Sequence, residues 1–584
     1  MSVRIKTLAF ISSAAMMLLP FAQLYMAVSA RYDDSTLVSV ISKLPARSGS
    51  LLDRNGKALA YDKPSNEVIL LPQLFTDNEE VNATISRLMT AGGKKVKATL
   101  PVDKSGIITG SDEQTALLKT AAGLDTDDGS ALLDRLYKIF HIDDDDPNAY
   151  QIASVRYNCH IGGEAEYTLF KNISGDLLAA CNAESTQKPF VRVNTTYTRK
   201  YTKTPIAPHI IKECEQQYEK SLSGTDGNSH EQYRVLSRSA ELVELNKKAV
   251  TNGEDIRLTI DSDYQIKIQK MLTQAISDGK CDAGSVCVCD AKNGEVLACA
   301  SAPYFDMRSF SKDYDTLSQD SGAPLFDRAL WGLYRPGSAM KTITAFAALD
   351  SKMIDKDTNI WCGKWYPLGD TTFSCLYYHG FESVQTALRD SCNVFFYKCS
   401  QLLGQDKLSS YQQGFGLGKS IPCGLDNAAG RVVTPESVSS LGIVWSEGLL
   451  LQSAIGQSEN AVTPLQMTQW AMMIANKGEL IPPTLIKGQD YAPTQVYENT
   501  SAFEEVKAGM ILAADNIYGE DSLASLPEKT AIKTGTPESG SGYDSTVIGF
   551  YPADDPKIAF SVVLENSEQA KSLIKGIIEN APTL

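Results

Sequence analysis

One stretch constrains this chain before anything else: Thr7 to Ala30 carries no charged side chain, and Arg4 and Lys6 stand just before it. A run of roughly 20 apolar residues is what one bilayer-spanning helix requires, whereas the core of a cleaved signal peptide is only about 7 to 15 residues. The length therefore favours an uncleaved anchor over a leader, although Val28 and Ala30 are small enough for a cleavage site. Positive charge on the short side keeps that side in the cytoplasm and sends everything after Arg31 across. The expectation is a single-pass protein of the cell membrane: residues 1–6 a cytoplasmic tail, 7–30 a transmembrane helix, and a catalytic part that is extracytoplasmic.

The rest of the chain must fold in water. The chain has 584 residues, 43% hydrophobic and 21% charged, a globular balance too long for one ordinary domain. Its formal net charge of -15, with no basic stripe to offset it, repels phosphate backbones and argues against nucleic acid as a partner. Twelve cysteines in an exported chain admit disulfides or a habitat that keeps thiols reduced. Cys362 and Cys375 flank a loop rich in Gly, Pro and aromatics and make the best candidate for a staple. Cys287 and Cys289 share one face of a strand, too close to bridge, and read as small core residues. A zinc site built from them and Cys299 lacks a nearby His, so no metal and no cofactor is expected.

Asn55-Gly56 predicts a tight hairpin turn soon after the anchor. From there to about Glu254 periodicity is weak, and the acidic run Asp143 to Asp146 lacks the Gly and terminal Glu of a calcium loop, so it reads as a solvated loop. A composition change follows Lys247. The spacing then predicts a helix over 264–277 and strand-like alternation over 284–299, followed by long helices and a C-terminal strand pair: an α/β or α+β domain of about 330 residues.

Arg335-Pro-Gly-Ser338 places a break directly before the amphipathic run that starts at Lys341. Ser338 is thereby expected at a helix N-terminus, where developing negative charge is favoured, with Lys341 one turn on and on the same face. Burial would lower the lysine's pKa and let it act as base. Ser185 to Lys188 and Ser309 to Lys312 share the Ser-x-x-Lys spacing, yet neither follows a turn and opens an apolar helix. Ser391-Cys-Asn393 puts a hydroxyl and an amide at the edge of an apolar helix: the first can relay a proton, the second can orient a peptide carbonyl or bond the lysine. Without other motifs these two would read as capping residues, and Ser458-Glu-Asn460 repeats the pattern. Lys533-Thr-Gly-Thr536 lies on a strand-like stretch, and its triplet occurs once. Gly535 lets a substrate backbone approach, Lys533 supplies a cation, and Thr534 and Thr536 supply hydroxyls for a carboxylate. The N–H groups of Ser338 and Thr536 together would make an oxyanion hole.

Ser-x-x-Lys, Ser-x-Asn and Lys-Thr-Gly in this order resemble the signature set of penicillin-binding proteins and class A β-lactamases. Most of the chain is similar to class B penicillin-binding proteins, the membrane-anchored monofunctional transpeptidases. The likeness extends to Arg47–Gly56, Leu258-Thr-Ile-Asp261 with Gln265, Asn293–Ala298, Ser301–Asp306, Ile455-Gly-Gln457 and Val462–Gln466. It implies an irregular mixed α/β pedestal, dimerisation-like, over 31–250, and over 251–584 a β-lactamase-like transpeptidase domain with an antiparallel sheet flanked by helices. It also implies roles. Ser338 would be acylated by a D-Ala-D-Ala stem peptide of lipid-linked or nascent peptidoglycan, with Lys341 activating it and Ser391 passing the proton. Asn393, Lys533, Thr534, Gly535 and Thr536 would hold the donor, and a second stem's amine would resolve the ester. β-Lactams would be inhibitors, and a SEDS-family glycosyltransferase a membrane partner, in elongation or division. After Thr536 the chain lacks the aromatic-rich stretch often found in the family, so acceptor recognition is expected to differ.

Two other function classes share the motifs. A β-lactamase or DD-carboxypeptidase would resolve the ester with water, but no clear glutamate motif for activating that water is visible. A catalytically weak penicillin-binding scaffold or sensor would need an output domain, for which about six residues before the anchor leave no room. A Ser-His-Asp hydrolase finds only His379 after Asp255.

Overall fold

The computed structural model describes residues 36–583 apart from 94, 95, 164, 490 and 541. The expected anchor, 7–30, lies outside the described residues. Among the described residues no helix is long and apolar enough to cross a membrane.

The described chain forms two compact units. The smaller takes in Asp62–Arg199 and Ser223–Gly253, and the larger Glu254–Leu584 together with Gly49–Tyr61 and Lys200–Leu222. In the smaller unit Thr36–Leu44, Gly227–Val235 and Ala240–Lys248 make an antiparallel three-stranded sheet. Its core is helical. Asp77 caps Asn78–Gly92, Ser111 and Gln114 form a capping box on Asp112–Ala122, and Asp128 caps Gly129–Phe140, so each helix begins where a side-chain oxygen takes up free N–H groups. Leu88, Leu118, Leu132, Leu136 and Ile152 are buried between them. The acidic run is a turn before Ala149–Gly162, with Asp146 accepting from Ser86 and from the Asn148 N–H.

In the larger unit the turn at Asn55-Gly56 forms as expected. Asp53 accepts the N–H groups of Asn55 and Lys57, and Gly56 takes φ 84°, a left-handed conformation that favours glycine. Helix α1 (Ser262–Ser277) is capped by Asp261. It packs on a five-stranded sheet built from β1 (Ala283–Asp290), β2 (Val296–Ala302), β3 (Ala531–Gly535), β4 (Ser545–Tyr551) and β5 (Ile558–Glu565). The strand order is β2-β1-β5-β4-β3 and every pairing is antiparallel. β1 and β2 are buried at every position, which explains a sequence dominated by small and apolar residues, with Ser285, Asp290 and Ser301 buried among them. Cys287 and Cys289 are among them, packed as core residues. On the other side lie α2 (Lys341–Asp350), α3 (Asn393–Leu403) and α4 (Pro464–Ala475). α2 is buried almost throughout and is fixed by two hydroxyls: Thr344 donates to the Ala454 carbonyl at 2.7 Å, and Thr342 accepts from the Trp470 indole at 3.1 Å. β3 is an edge strand, which leaves one rank of its backbone groups free to pair with an incoming extended chain.

Candidate active site

Ser338 sits on a single 3-10 turn, Gly337–Met340, that runs directly into α2. The turn can reach the sheet because two glycines clear the way. A Cβ on Gly535 would stand 2.4 Å from Thr546 Oγ1, 2.6 Å from the Pro336 carbonyl and 3.0 Å from Ser338 N. A Cβ on Gly337, whose φ is 56°, would stand 3.2 Å from Thr536 N. The backbone nitrogens of Ser338 and Thr536 thus flank one close approach between turn and strand. Thr546 donates to the Pro336 carbonyl at 2.8 Å and Gly337 N–H to the Gly456 carbonyl at 2.9 Å, which pins the turn from both sides.

Lys341 is fully buried, one turn beyond Ser338. Its ammonium donates to Asn393 Oδ1 at 2.6 Å, to the Ser391 carbonyl at 2.7 Å and to Ser391 Oγ at 3.1 Å. From β3 Lys533, also buried, donates to the same Ser391 Oγ at 3.2 Å and to the Thr534 carbonyl at 2.9 Å. Two cations on one hydroxyl raise the cost of keeping both charged. Burial pushes Lys341 down to about 8. Burial, and then the nearby Lys341 charge, push Lys533 well below the ordinary lysine range. Ser391 takes φ 53°, an unfavourable conformation for a serine, and so aims its hydroxyl between the two amines.

The structure therefore brings together the Ser338 turn, Lys341, Ser391, Asn393, Lys533 and Gly535. Thr534 is half-buried on β3, and Thr536 is exposed just beyond it. The look-alike motifs fall elsewhere. Ser185 is in a helix of the smaller unit, Ser309 precedes an exposed helix, and Asn460 is buried, donating to Ser453.

One group at this site escaped the sequence reading. Cys362 and Cys375, expected as a disulfide staple, are free thiols. Each Sγ lies 3.5 Å from His379 Nδ1, and with Cys392 the four ligand atoms all lie within 4.8 Å of one another. Three thiols and an imidazole so arranged fit a tetrahedral thiophilic cation such as Zn²⁺. Cys375 Sγ accepts the Asn393 N–H, the first of α3, at 3.1 Å. The Cys392 thiol, the Val394 and Asn393 N–H groups and the Lys341 charge hold Cys375 below the ordinary thiol range, which favours the thiolate that binds metal. The missed signal was the spacing of Cys375 to His379, four residues apart, with Cys392 inside the second motif.

With this geometry in hand, known proteins give the chain its relatives. Residues 284–581 match the family model described as "Penicillin binding protein transpeptidase domain", and residues 43–211 the one described as "Penicillin-binding Protein dimerisation domain". The peptidoglycan D,D-transpeptidase MrdA of Haemophilus influenzae is 28% identical over 395 residues, 60% of this chain and 59% of that protein. The chain thus spans about three-fifths of that relative's length. Two solved structures share the fold at 20% identity. One is PBP2 of Helicobacter pylori in complex with MreC, TM-score 0.65, covering 93% of this chain and 98% of that one. The other belongs to a peptidoglycan synthase complex that coordinates polymerization and crosslinking, TM-score 0.66, covering 99% and 98%.

Proposed function

The chain belongs to the class B penicillin-binding proteins, and from that premise we propose that it is a peptidoglycan D,D-transpeptidase with Ser338 as its nucleophile. The observation that carries the reading is the convergence of Lys341 and Lys533 on Ser391 Oγ beside the Ser338 turn. Neutral Lys341 takes the Ser338 proton as Oγ attacks the carbonyl between two D-alanines of a stem peptide. The oxyanion is held by the N–H groups of Ser338 and Thr536. Ser391, bonded to both amines, hands a proton to the departing D-alanine amine, and Lys533 or Lys341 replenishes it. Asn393 orients the donor's backbone, while Lys533, Thr534 and Thr536 bind its terminal carboxylate; Gly535 lets the Ser338 turn close against β3, whose free edge takes the donor as an added strand. The amine of a second stem then attacks the ester, returning Ser338. β-Lactams present the same carbonyl and carboxylate and stop at the ester.

The same family supplies the setting. Residues 7–30 anchor the protein in the cell membrane, with both units outside. The proposed partners are a SEDS-family polymerase, which the family resemblance implies, and an MreC-like protein; the likeness to PBP2 in complex with MreC and to a peptidoglycan synthase complex supports this reading.

The Cys362, Cys375, His379 and Cys392 cluster would hold a zinc ion whose part is to position. With Cys375 fixed, the first N–H of α3 and hence Asn393 and Ser391 are fixed beside Lys341.

The test is product analysis with nascent peptidoglycan. Cross-linked dimers with release of one D-alanine per cross-link are expected. D-Alanine release without dimers would make the enzyme a carboxypeptidase, and rapid hydrolysis of penicillin a β-lactamase.

A further inference from the structure

The back of the segment 360–382 is the thiol and imidazole cluster. Its front is aromatic. Ile360–Cys362 pairs with Gly380–Glu382, so that Trp361 stands opposite Phe381, and a second hairpin, Trp365–Leu368 with Thr371–Ser374, lies between them in sequence. Trp361 packs edge-on with Phe381 at 4.9 Å and with Tyr378 at 5.4 Å between ring centroids. The three rings are nevertheless 50% to 70% exposed, as is Trp365, which carries Lys364 over one face. Glycines 363 and 380 bring no side chain against the Trp361 ring. So many large aromatics open to water beside a reaction centre mark a binding surface.

The geometry points to this face as a platform for the sugar rings of the glycan strand that carries the stem peptide, an assignment that rests on the transpeptidase reading. Three features select a saccharide. The surface is formed by flat rings with polar edges, the Trp Nε1 and the Tyr hydroxyl, which suits pyranose faces of C–H groups rimmed by hydroxyls. It is rigid, since the hairpin is braced behind by Cys362, Cys375 and His379, so little ordering is lost on binding. And it is continuous with the donor site: Asn393 Nδ2 donates to the Ser374 carbonyl at 3.2 Å, one residue before Cys375. A stem reaches about 3.3 Å per extended residue, so a few residues beyond the scissile bond set the sugars against the surface that borders Asn393.

The test titrates the full-length chain in detergent with soluble strands of alternating N-acetylglucosamine and N-acetylmuramic acid stripped of stem peptides, following tryptophan fluorescence and sedimentation. The comparison is Trp361→Ala with Phe381→Ala, with Trp361→Tyr as the conservative variant. The wild type is expected to bind the bare strand, and the double variant to bind about tenfold more weakly, the loss expected for aromatic anchors, with recovery in Trp361→Tyr. With polymeric substrate KM rises by the same factor while kcat holds, and penicillin labels Ser338 at the wild-type rate. Equal binding by wild type and double variant, or no binding by either, would overturn the platform. So would a double variant that differs only in losing self-association, because the face would then belong to a second copy of the chain. Failure of the wild type to label with penicillin would overturn the transpeptidase reading instead, separately from the glycan titration.

Discussion

The two walls of the cleft are held in place by different means. On one wall the Ser338 turn is set by close packing: Gly337 against Thr536, Gly535 against Ser338 and Pro336, and a buried α2 behind. On the opposite wall Ser391 and Asn393 stand at the start of α3, where the Asn393 N–H rests on Cys375 and a set of soft ligand atoms is added to the packed core behind the helix. Packing fixes a wall whatever the medium. A thiol cluster fixes it only while the thiols stay reduced and share a proton or a metal. The two buried lysines bridge the walls: Lys341 on α2 and Lys533 on β3 both belong to the first, and both end on Ser391 of the second.

The most damaging change to the packed wall is Gly535→Val. Its Cβ has no space beside the Pro336 carbonyl, and displacing the turn by about 1 Å should slow penicillin acylation on the order of 100-fold. Stopped-flow acylation checks it, with thermal unfolding as the control for folding.

Protonation acts across both walls. Because burial lowers Lys341 to about 8, the neutral amine gains as pH rises, so the acylation rate should climb about tenfold from one unit below that value to one above. A fall with rising pH would have the wrong sign for a lysine base.

The thiol wall is attacked through Cys375→Ser. Acylation should drop about fivefold, with a lowered Tm and loss of bound zinc by elemental analysis, because a ligand that orders α3 is gone. Treating the wild type with a strong chelator should reproduce the drop, and should slow Gly535→Val by a similar further factor, because the two walls are held independently. Least severe is Thr546→Val, which removes one buried hydrogen bond to Pro336 and should cost about 1 kcal/mol in stability with a few-fold loss of acylation.

What the sequence disclosed divides along the same line. Ser338 with Lys341 was legible because a turn followed by a helix fixes residues three apart without help from the rest of the chain. Lys533 to Thr536 was legible because a strand needs glycine only where something approaches closely. The hairpin at Asn55-Gly56 and the capped start of α1 were local in the same way. The thiol cluster was not, because its four ligands come from two hairpins and a helix cap, and Cys362 with Cys375 looked like a pair once His379 was set aside. Nor was the grouping of Gly49–Tyr61 and Lys200–Leu222 with the larger unit. Leu51–Leu52 pairs in parallel with Ile256–Arg257, a contact across some two hundred residues that no local pattern announces.

Ser338 as the acylated residue is tested by intact-mass and peptide mapping of the chain after brief exposure to a fluorescent penicillin, with Ser338→Ala alongside. One stable adduct is expected, on the peptide that carries Ser338, absent from the variant. An adduct that persists in Ser338→Ala, or none at all on a folded wild-type chain, would contradict it.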